Sequence, residues 1–156
     1  MKVGIIVSGG GHLDEALQVI KAFEGSEIFL VTYSIKSLVS YEREGISRVH
    51  LVKLLGSSGP LLVLSFLSHI FEFISIFLKE RPNILFSTGS EITIIPFYLG
   101  KILFRTKNIF LETVTRVSRP SFTAKLAYAI SDLFLVQWRE MLSSFGKKAV
   151  FAGRVI

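Results

Sequence analysis

Along the chain, short runs of apolar residues alternate with stretches in which apolar residues recur every three or four positions. The runs are Val3 to Val7, Ile28 to Tyr33, Val49 to Leu54, Asn83 to Phe86, Asn108 to Leu111, Leu133 to Val136 and Ala149 to Phe151. They are short and lack polar alternation, which predicts strands buried on both faces, as in a parallel sheet covered by helices. Between the first two runs, Leu13, Ala16, Leu17, Ile20 and Phe23 share one helical face, and Gly25 is placed to stop that helix. Residues 34 to 44 predict a weaker helix ended by Gly45. Strands alternating with helices make a βαβ series, so the expected fold is α/β: a Rossmann-like, doubly wound parallel sheet with helices on both sides. No repeat, low-complexity tract or long linker divides it, and residues 1–156 are expected to form one domain.

The stretch "LLVLSFLSHIFEFISIFLK" at 61 to 79 reads differently. Its polar residues Ser65, Ser68, His69, Glu72, Ser75 and Lys79 fall on one arc of a helix, about a third of the circumference at ~100° per residue. The remainder is Leu, Ile, Val and Phe. Its length permits a transmembrane span, but His69 and Glu72 near the middle would cost a few kcal/mol in hydrocarbon. Two readings stay open: a helix packed on the sheet with a narrow wet stripe, and a helix whose spare apolar surface, including Phe66, Ile70, Phe73 and Phe77, enters a bilayer interface. Lys79, Arg81, Lys101, Arg105 and Lys107 cluster near it and near a second apolar stretch, "IIPFYLGKILF". Such basic flanks suit anionic lipid, although they also describe an ordinary solvated face.

Composition narrows the partners. Half of the residues are apolar, only 19% are charged, and the formal net charge is +6. That balance points to an anionic partner, a phosphate-bearing ligand or an acidic lipid surface, with no sign of a nucleic-acid module. The absence of cysteine removes disulfides, thiolate metal ligands and a cysteine nucleophile, and it fits a reducing compartment. The N-terminus shows no secretory pattern, so the fold is expected to start at Met1.

In a doubly wound sheet, ligands bind beyond the carboxyl ends of the strands where strand order reverses, here expected between the first and fourth strands. Small and polar residues collect at those ends: "SGGGH" after the first, "STGSE" after the fourth, "ETVTRVSRPS" after the fifth and "QWRE" after the sixth. Ser8, Gly9, Gly10 and Gly11 would face Ser87, Thr88, Gly89 and Ser90 across one crevice. Each turn opens a helix and aims unpaired backbone N–H groups at an anion, so the pair suits a diphosphate. Either turn alone would be no more than a tight strand-to-helix connection. Asp14 replaces the third glycine of a dinucleotide fingerprint, the second strand ends without a ribose-binding acid, and the P-loop lysine is missing. His12 is the only histidine on this rim: a candidate general base, or a capping or phosphate-contacting residue. Glu112 is a second candidate base, a partner for a sugar hydroxyl, or half of an ion pair with Arg116 or Arg119. Trp138 would line a sugar or lipid site or simply pack. No metal-ligand cluster and no cofactor motif is seen.

The segments "SGGGH", "STGS", "ETVTRVSRPSFTAKLAYAISDLFLVQW" and "AVFAGRV" resemble the acceptor-side, membrane-associated subunit of the two-subunit N-acetylglucosaminyltransferase that extends a lipid-diphosphate sugar in N-glycan assembly. They resemble equally its bacterial exopolysaccharide relatives of the PssD and CpsF type. The resemblance spans essentially the whole chain, and residues 112 to 138 carry its most specific part. It implies the N-terminal half of a GT-B glycosyltransferase similar to MurG, with a separate small subunit binding the UDP-sugar co-substrate and no further cofactor. It further implies inverting, metal-independent transfer to a sugar on a polyprenyl diphosphate, at the cytoplasmic face of a membrane. By the same resemblance Gly9 to Gly11 hold the acceptor diphosphate, with Arg116 and Arg119 assisting, and His12 matches the proposed base. Ser87 to Ser90 and Glu112 match positions lining the cleft. Eukaryotic members carry an N-terminal membrane helix that does not appear here, so attachment is expected from the apolar helices and basic residues of 61 to 107. Two other classes remain: a noncatalytic membrane scaffold that recruits a partner transferase, and a soluble nucleotide-binding oxidoreductase.

Overall fold

A computed structural model describes residues 1–33, 45–53 and 59–155. The elements run β1 (Lys2–Ile6), α1 (Gly11–Gln18), β2 (Glu27–Tyr33), β3 (Ile46–Val52), α2 (Gly59–Glu80), β4 (Ile84–Ser87), α3 (Ile94–Leu103), β5 (Lys107–Leu111), α4 (Phe122–Ile130), β6 (Leu133–Val136) and β7 (Ala149–Phe151). All seven expected strands form, within a few residues of their predicted ends. They make one parallel sheet in the order β3-β2-β1-β4-β5-β6-β7. The chain winds outward from β1 to β3, returns beside β1 with β4, and winds the other way, which is the doubly wound arrangement. The helix expected at 34 to 44 lies outside the described residues, as does Leu54 at the end of the third apolar run.

Side chains alternate across the sheet, and two apolar layers result. Val3, Ile5 and Val7 pack with Leu13 and Ala16 of α1 on one face. Ile6, Phe29 and Phe110 pack with Phe73 and Phe77 of α2, Phe97 of α3 and Ala124 of α4 on the other. Gly4 makes the second layer possible: a Cβ there would lie 2.5 Å from the Phe29 ring. The expectation of strands buried on both faces holds for the central strands and fails at the edges. β3 and β7 are largely half-buried or exposed, because each has a neighbour on one side only. The first helix is shorter than its apolar period suggested. It gives way after Gln18 to a 3₁₀ turn at Ile20–Phe23 that brings Phe23 into the core.

The largest departure is the orientation of α2. Phe73 and Phe77, expected at the membrane surface, are fully buried against the sheet, and Ile70 is half-buried beside them. The face turned inward also carries His69 and Glu80, whereas Leu64, Phe66, Leu67, Phe71 and Leu78 are exposed, Phe71 by 70%. Of the polar arc, Ser68, Ser75 and Lys79 are exposed and Ser65 and Glu72 half-buried, as a wet stripe requires, and His69 alone of the six is buried. His69 is accommodated because its Nε2–H donates to the Lys53 carbonyl, while its Nδ1 is buried without a partner. Glu80 is accommodated by three basic groups: Arg48 at 2.9 Å, His50 at 2.8 Å and Lys2 at 3.2 Å. Among the described residues no helix is long and apolar enough to cross a membrane.

Candidate functional site

The reversal of strand order falls between β1 and β4, and the turns after these two strands meet there. His12, in the first turn of α1, bonds to the turn after β4 from both ends of the residue. Its Nδ1–H donates to the Thr88 carbonyl at 2.9 Å, and the Thr88 hydroxyl donates to the His12 carbonyl at 2.7 Å. With Nδ1 carrying the proton, the neutral ring has its lone pair on Nε2, which makes no hydrogen bond among the described residues. The convergence read from sequence is thus realised by a reciprocal pair of bonds across 76 positions.

Both turns depend on glycine. Gly10 caps α1 at φ 77° and Gly89 bends the other turn at φ 106°, conformations that other residues adopt only with strain. Gly10 offers no side-chain cap, so the first N–H groups of α1 face outward unsatisfied. A Cβ built on Gly10 or Gly11 would meet nothing within 4 Å, and Gly11 is not in the left-handed region. No neighbour in the chain and no backbone requirement accounts for a glycine at 11. Open space over the exposed amides of a helix start is what a close anionic ligand needs. Ser8 and Gly9, half-buried, complete this turn.

The turn after β4 works differently from expectation. Ser87, Thr88, Gly89 and Ser90 are all buried. The Ser87 hydroxyl is engaged with Thr93 and the Thr88 hydroxyl with His12, so neither is directed at a ligand. Ser90 donates to the exposed Glu91 carboxylate at 3.3 Å. A 3₁₀ turn at Glu91–Thr93 separates these residues from α3, so they do not open an α-helix directly. Within this turn Thr88 is the residue that holds His12.

Glu112, one residue past β5, is fully buried, and both of its oxygens are taken. Oε1 accepts from the Thr113 N–H and the Ser121 hydroxyl, and Oε2 accepts from the Ser121 N–H at 3.1 Å. Burial pushes its carboxyl up, and the bonds from Ser121 and Thr113, with Arg116 nearby, only partly offset this. The expected ion pair with Arg116 or Arg119 does not form. Both arginines are exposed on the loop between β5 and α4 and have no carboxylate partner among the described residues. Glu112 instead fixes the loop that carries them: Ser121 is also the N-cap of α4, accepting from the Ala124 N–H at 3.0 Å. The positions of Glu112 and His12 relative to Gly89 tie the three loops together. An ideal Cβ on Gly89 would lie 3.6 Å from Glu112 Oε1 and 3.7 Å from His12 Cε1.

Three further side chains hold this site: Trp138, which the sequence singled out, and Glu15 and Gln137, which it did not. Glu15, one turn after His12, is buried; its Oε1 accepts from the Thr113 hydroxyl at 2.8 Å and the Val114 N–H at 2.9 Å, and its Oε2 has no partner. Gln137 donates to the Glu112 carbonyl at 3.1 Å, and Trp138 Nε1–H donates to the Val114 carbonyl at 2.6 Å. Trp138 therefore packs and tethers the loop, and Arg154 stacks over its ring. Glu15 follows His12 by three positions, the one hint that it shares a helix face with it. No group of three or more potential metal-ligating side chains occurs among the described residues.

A doubly wound parallel sheet with two glycine turns meeting at its switch point has the Rossmann-like architecture of a GT-B half, and solved structures show the same fold. Acinetobacter baumannii MurG superposes with a TM-score of 0.74 at 11% identity, over 96% of this chain and 45% of that one. A Methanocaldococcus jannaschii UDP-GlcNAc 2-epimerase solved with UDP-GlcNAc and UDP superposes with a TM-score of 0.70 at 14% identity, over 99% and 47%. The chain spans a little under half the length of these two proteins. Residues 3–155 match the family described as "Oligosaccharide biosynthesis protein Alg14 like", and the chain belongs to that family. The UDP-N-acetylglucosamine transferase subunit ALG14 of Candida albicans is 28% identical over 168 aligned residues, 94% of this chain and 74% of that protein.

Proposed function

We propose that this chain is the acceptor-binding subunit of a two-part glycosyltransferase that moves N-acetylglucosamine, or a related sugar, from a UDP-sugar to a sugar on a polyprenyl diphosphate. The observation that carries the reading is the vacant space over Gly10 and Gly11 beside a histidine locked through Nδ1. An acceptor diphosphate rests on the first amides of α1, where the positive helix end favours it. Arg116 and Arg119, with no carboxylate partner among the described residues, supply the remaining counter-charge. His12 Nε2 takes the proton of the acceptor hydroxyl as that oxygen attacks the anomeric carbon, and the bond from that carbon to the UDP phosphate breaks with inversion. Glu112, Glu15 and the Thr88 carbonyl are positioning groups for the loop and the ring. The donor half is supplied by a partner subunit, in keeping with the relative's description as a transferase subunit.

The exposed face of α2 supports peripheral attachment to a membrane. Leu64, Phe66, Leu67 and Phe71 form an apolar surface next to the loops that follow the strands, which suits an acceptor whose lipid stays in the bilayer. The test of the central claim is a transfer assay on the purified chain, alone and co-expressed with a small UDP-sugar-binding subunit. Turnover is expected only from the pair. Robust transfer by this chain alone overturns the split-enzyme reading.

A further inference from the structure

Two residues other than glycine lie in the left-handed backbone region: Arg81 at φ 50° and Arg105 at φ 55°. Each sits just past the end of an apolar helix, α2 and α3, at the place where a helix stop usually has glycine because a Cβ is strained there. The stops themselves are well made. Arg81 N–H donates to the Phe77 carbonyl at 2.8 Å, and the Phe104 and Thr106 N–H groups both donate to the Gly100 carbonyl. Strain retained twice, in two neighbouring helices and by the same residue type, points to a use for the side chain.

Between these helix ends runs a groove of about 420 Å³, lined chiefly by Phe77, Leu78, Arg81, Leu103 and Phe104. The rings of Phe77 and Phe104 meet edge to face at 5.4 Å, and Leu78 and Leu103 are 62% and 58% exposed. The charges around it are sorted. Lys101 and Lys107 are bound to Asp132, and Glu80, the terminal carboxylate of α2, is turned inward onto Lys2, Arg48 and His50. Lys79, Arg81 and Arg105 are exposed with no carboxylate partner among the described residues. Bare hydrocarbon beside unpaired cations fits an amphiphile with an anionic head. A soluble phosphate would leave the leucines exposed, and a neutral lipid would leave the arginines unmatched.

We infer that this groove holds one anionic phospholipid, with hydrocarbon against Leu78, Leu103 and Phe104 and its phosphate on Arg81 of the lining and on Arg105, which follows Phe104 in the chain. It lies at the amino ends of β4 and β5, the opposite end of α2 from the glycine turns. With 22 residues α2 spans about 33 Å, so the site gives the membrane-facing helix a second point of attachment. The inference rests on the membrane reading above, and the experiment separates the two.

The full chain is floated with vesicles of phosphatidylcholine alone and of phosphatidylcholine mixed with phosphatidylglycerol. Arg81→Gly/Arg105→Gly is the informative variant, because glycine relieves the backbone and its Tm should not fall. It is expected to lose about fivefold of the preference for anionic vesicles per arginine, about thirtyfold together, and to keep its binding to neutral ones. Lys21→Ala/Lys147→Ala removes the same charge from exposed positions elsewhere and is expected to keep most of the preference. Leu67→Ser/Phe71→Ser should lose both vesicle types, and soluble glycerol phosphate should not displace the protein. The groove is overturned if the double glycine variant keeps the preference, or if the lysine pair loses as much of it. Equal binding of the parent chain to both vesicle types sinks the groove but leaves the membrane reading standing. Binding to neither sinks both.

Discussion

Glu112 and Glu80 are both buried carboxylates, and their environments are opposite. Glu112, at the carboxyl rim, accepts only from N–H groups and hydroxyls of its own loop, and burial pushes it up. Burial would push Glu80 up as well, but the bonds from His50, Arg48 and Lys2 outweigh it and hold it at about 2. The same division runs through the cations. Arg116 and Arg119 at the rim have no carboxylate partner among the described residues, whereas at the amino end Arg48, Lys2, Lys101 and Lys107 are committed to Glu80 or Asp132. At the carboxyl rim the buried acids shape loops; at the amino end Glu80 and Asp132 bind Lys2, Arg48, Lys101 and Lys107 and so fasten strands to helices, while Arg81 and Arg105 stay outside these pairs. Removing a charge should therefore cost function at Arg116 or Arg119 and stability at Glu80 or Asp132.

The largest effect is expected from His12→Ala. Loss of a general base lowers kcat of the reconstituted transferase by at least about a hundredfold. Stability falls only by about 1 kcal/mol, the worth of the bond to the Thr88 carbonyl. Unchanged turnover with intact binding of the donor subunit would assign the chain to the noncatalytic scaffold class.

Next is Glu80→Gln, with the opposite signature. Removing one partner of a buried network costs about 2–3 kcal/mol here, less than for a fully dry pair because Arg48 and Lys2 still meet water. Thermal unfolding should drop by roughly 8 °C while turnover per folded molecule is unchanged. The pH dependence follows from the sign of the shift. Glu80 titrates at about 2 in the fold against an ordinary 4.5, and Asp132 at about 2 against 3.8. Both contribute stability that is complete above about pH 4.5 and is lost as pH falls through 2. A urea midpoint series from pH 5 to pH 2 should fall steeply in the parent chain and less steeply in Glu80→Gln. An equal slope in both would detach Glu80 from acid unfolding.

Arg116→Ala and Arg119→Ala should leave Tm within about 1 °C, since neither side chain has a hydrogen-bond or ion-pair partner among the described residues. Each is expected to raise KM for a diphosphate-linked acceptor about tenfold, the worth of one charge-assisted bond. A matching loss of stability would place these arginines with Arg48 instead.

What could be read from sequence follows the range of the interactions. The strands and the meeting of the two glycine turns were legible because apolar runs and turn residues are local signals and the doubly wound topology does the rest. The inward face of α2 was not legible. A helix that is apolar almost all round does not announce which side meets the sheet, and the partners of its two buried polar residues lie 16 to 78 positions away. Glu15 was missed for the same reason, since it bonds to Thr113 and Val114, 98 and 99 positions on. The role of Glu112 was misjudged because an acid at a rim reads as chemistry until its partners are seen to occupy both oxygens.

The smallest change is the sharpest probe of the rim. Gly11→Ala adds one methyl to a position with ordinary helical backbone and no atom within 4 Å of the new Cβ. Alanine restricts the unfolded chain and suits a helix, so the fold should gain about 0.5 kcal/mol and Tm should rise by about 1–2 °C. If the space over Gly11 is kept for an acceptor diphosphate, the methyl stands where phosphate oxygens approach the amides, and KM should rise severalfold in the same protein that has become more stable. A gain in both properties would show that the glycine is not reserved for a ligand, and the anion would then have to bind away from the start of α1.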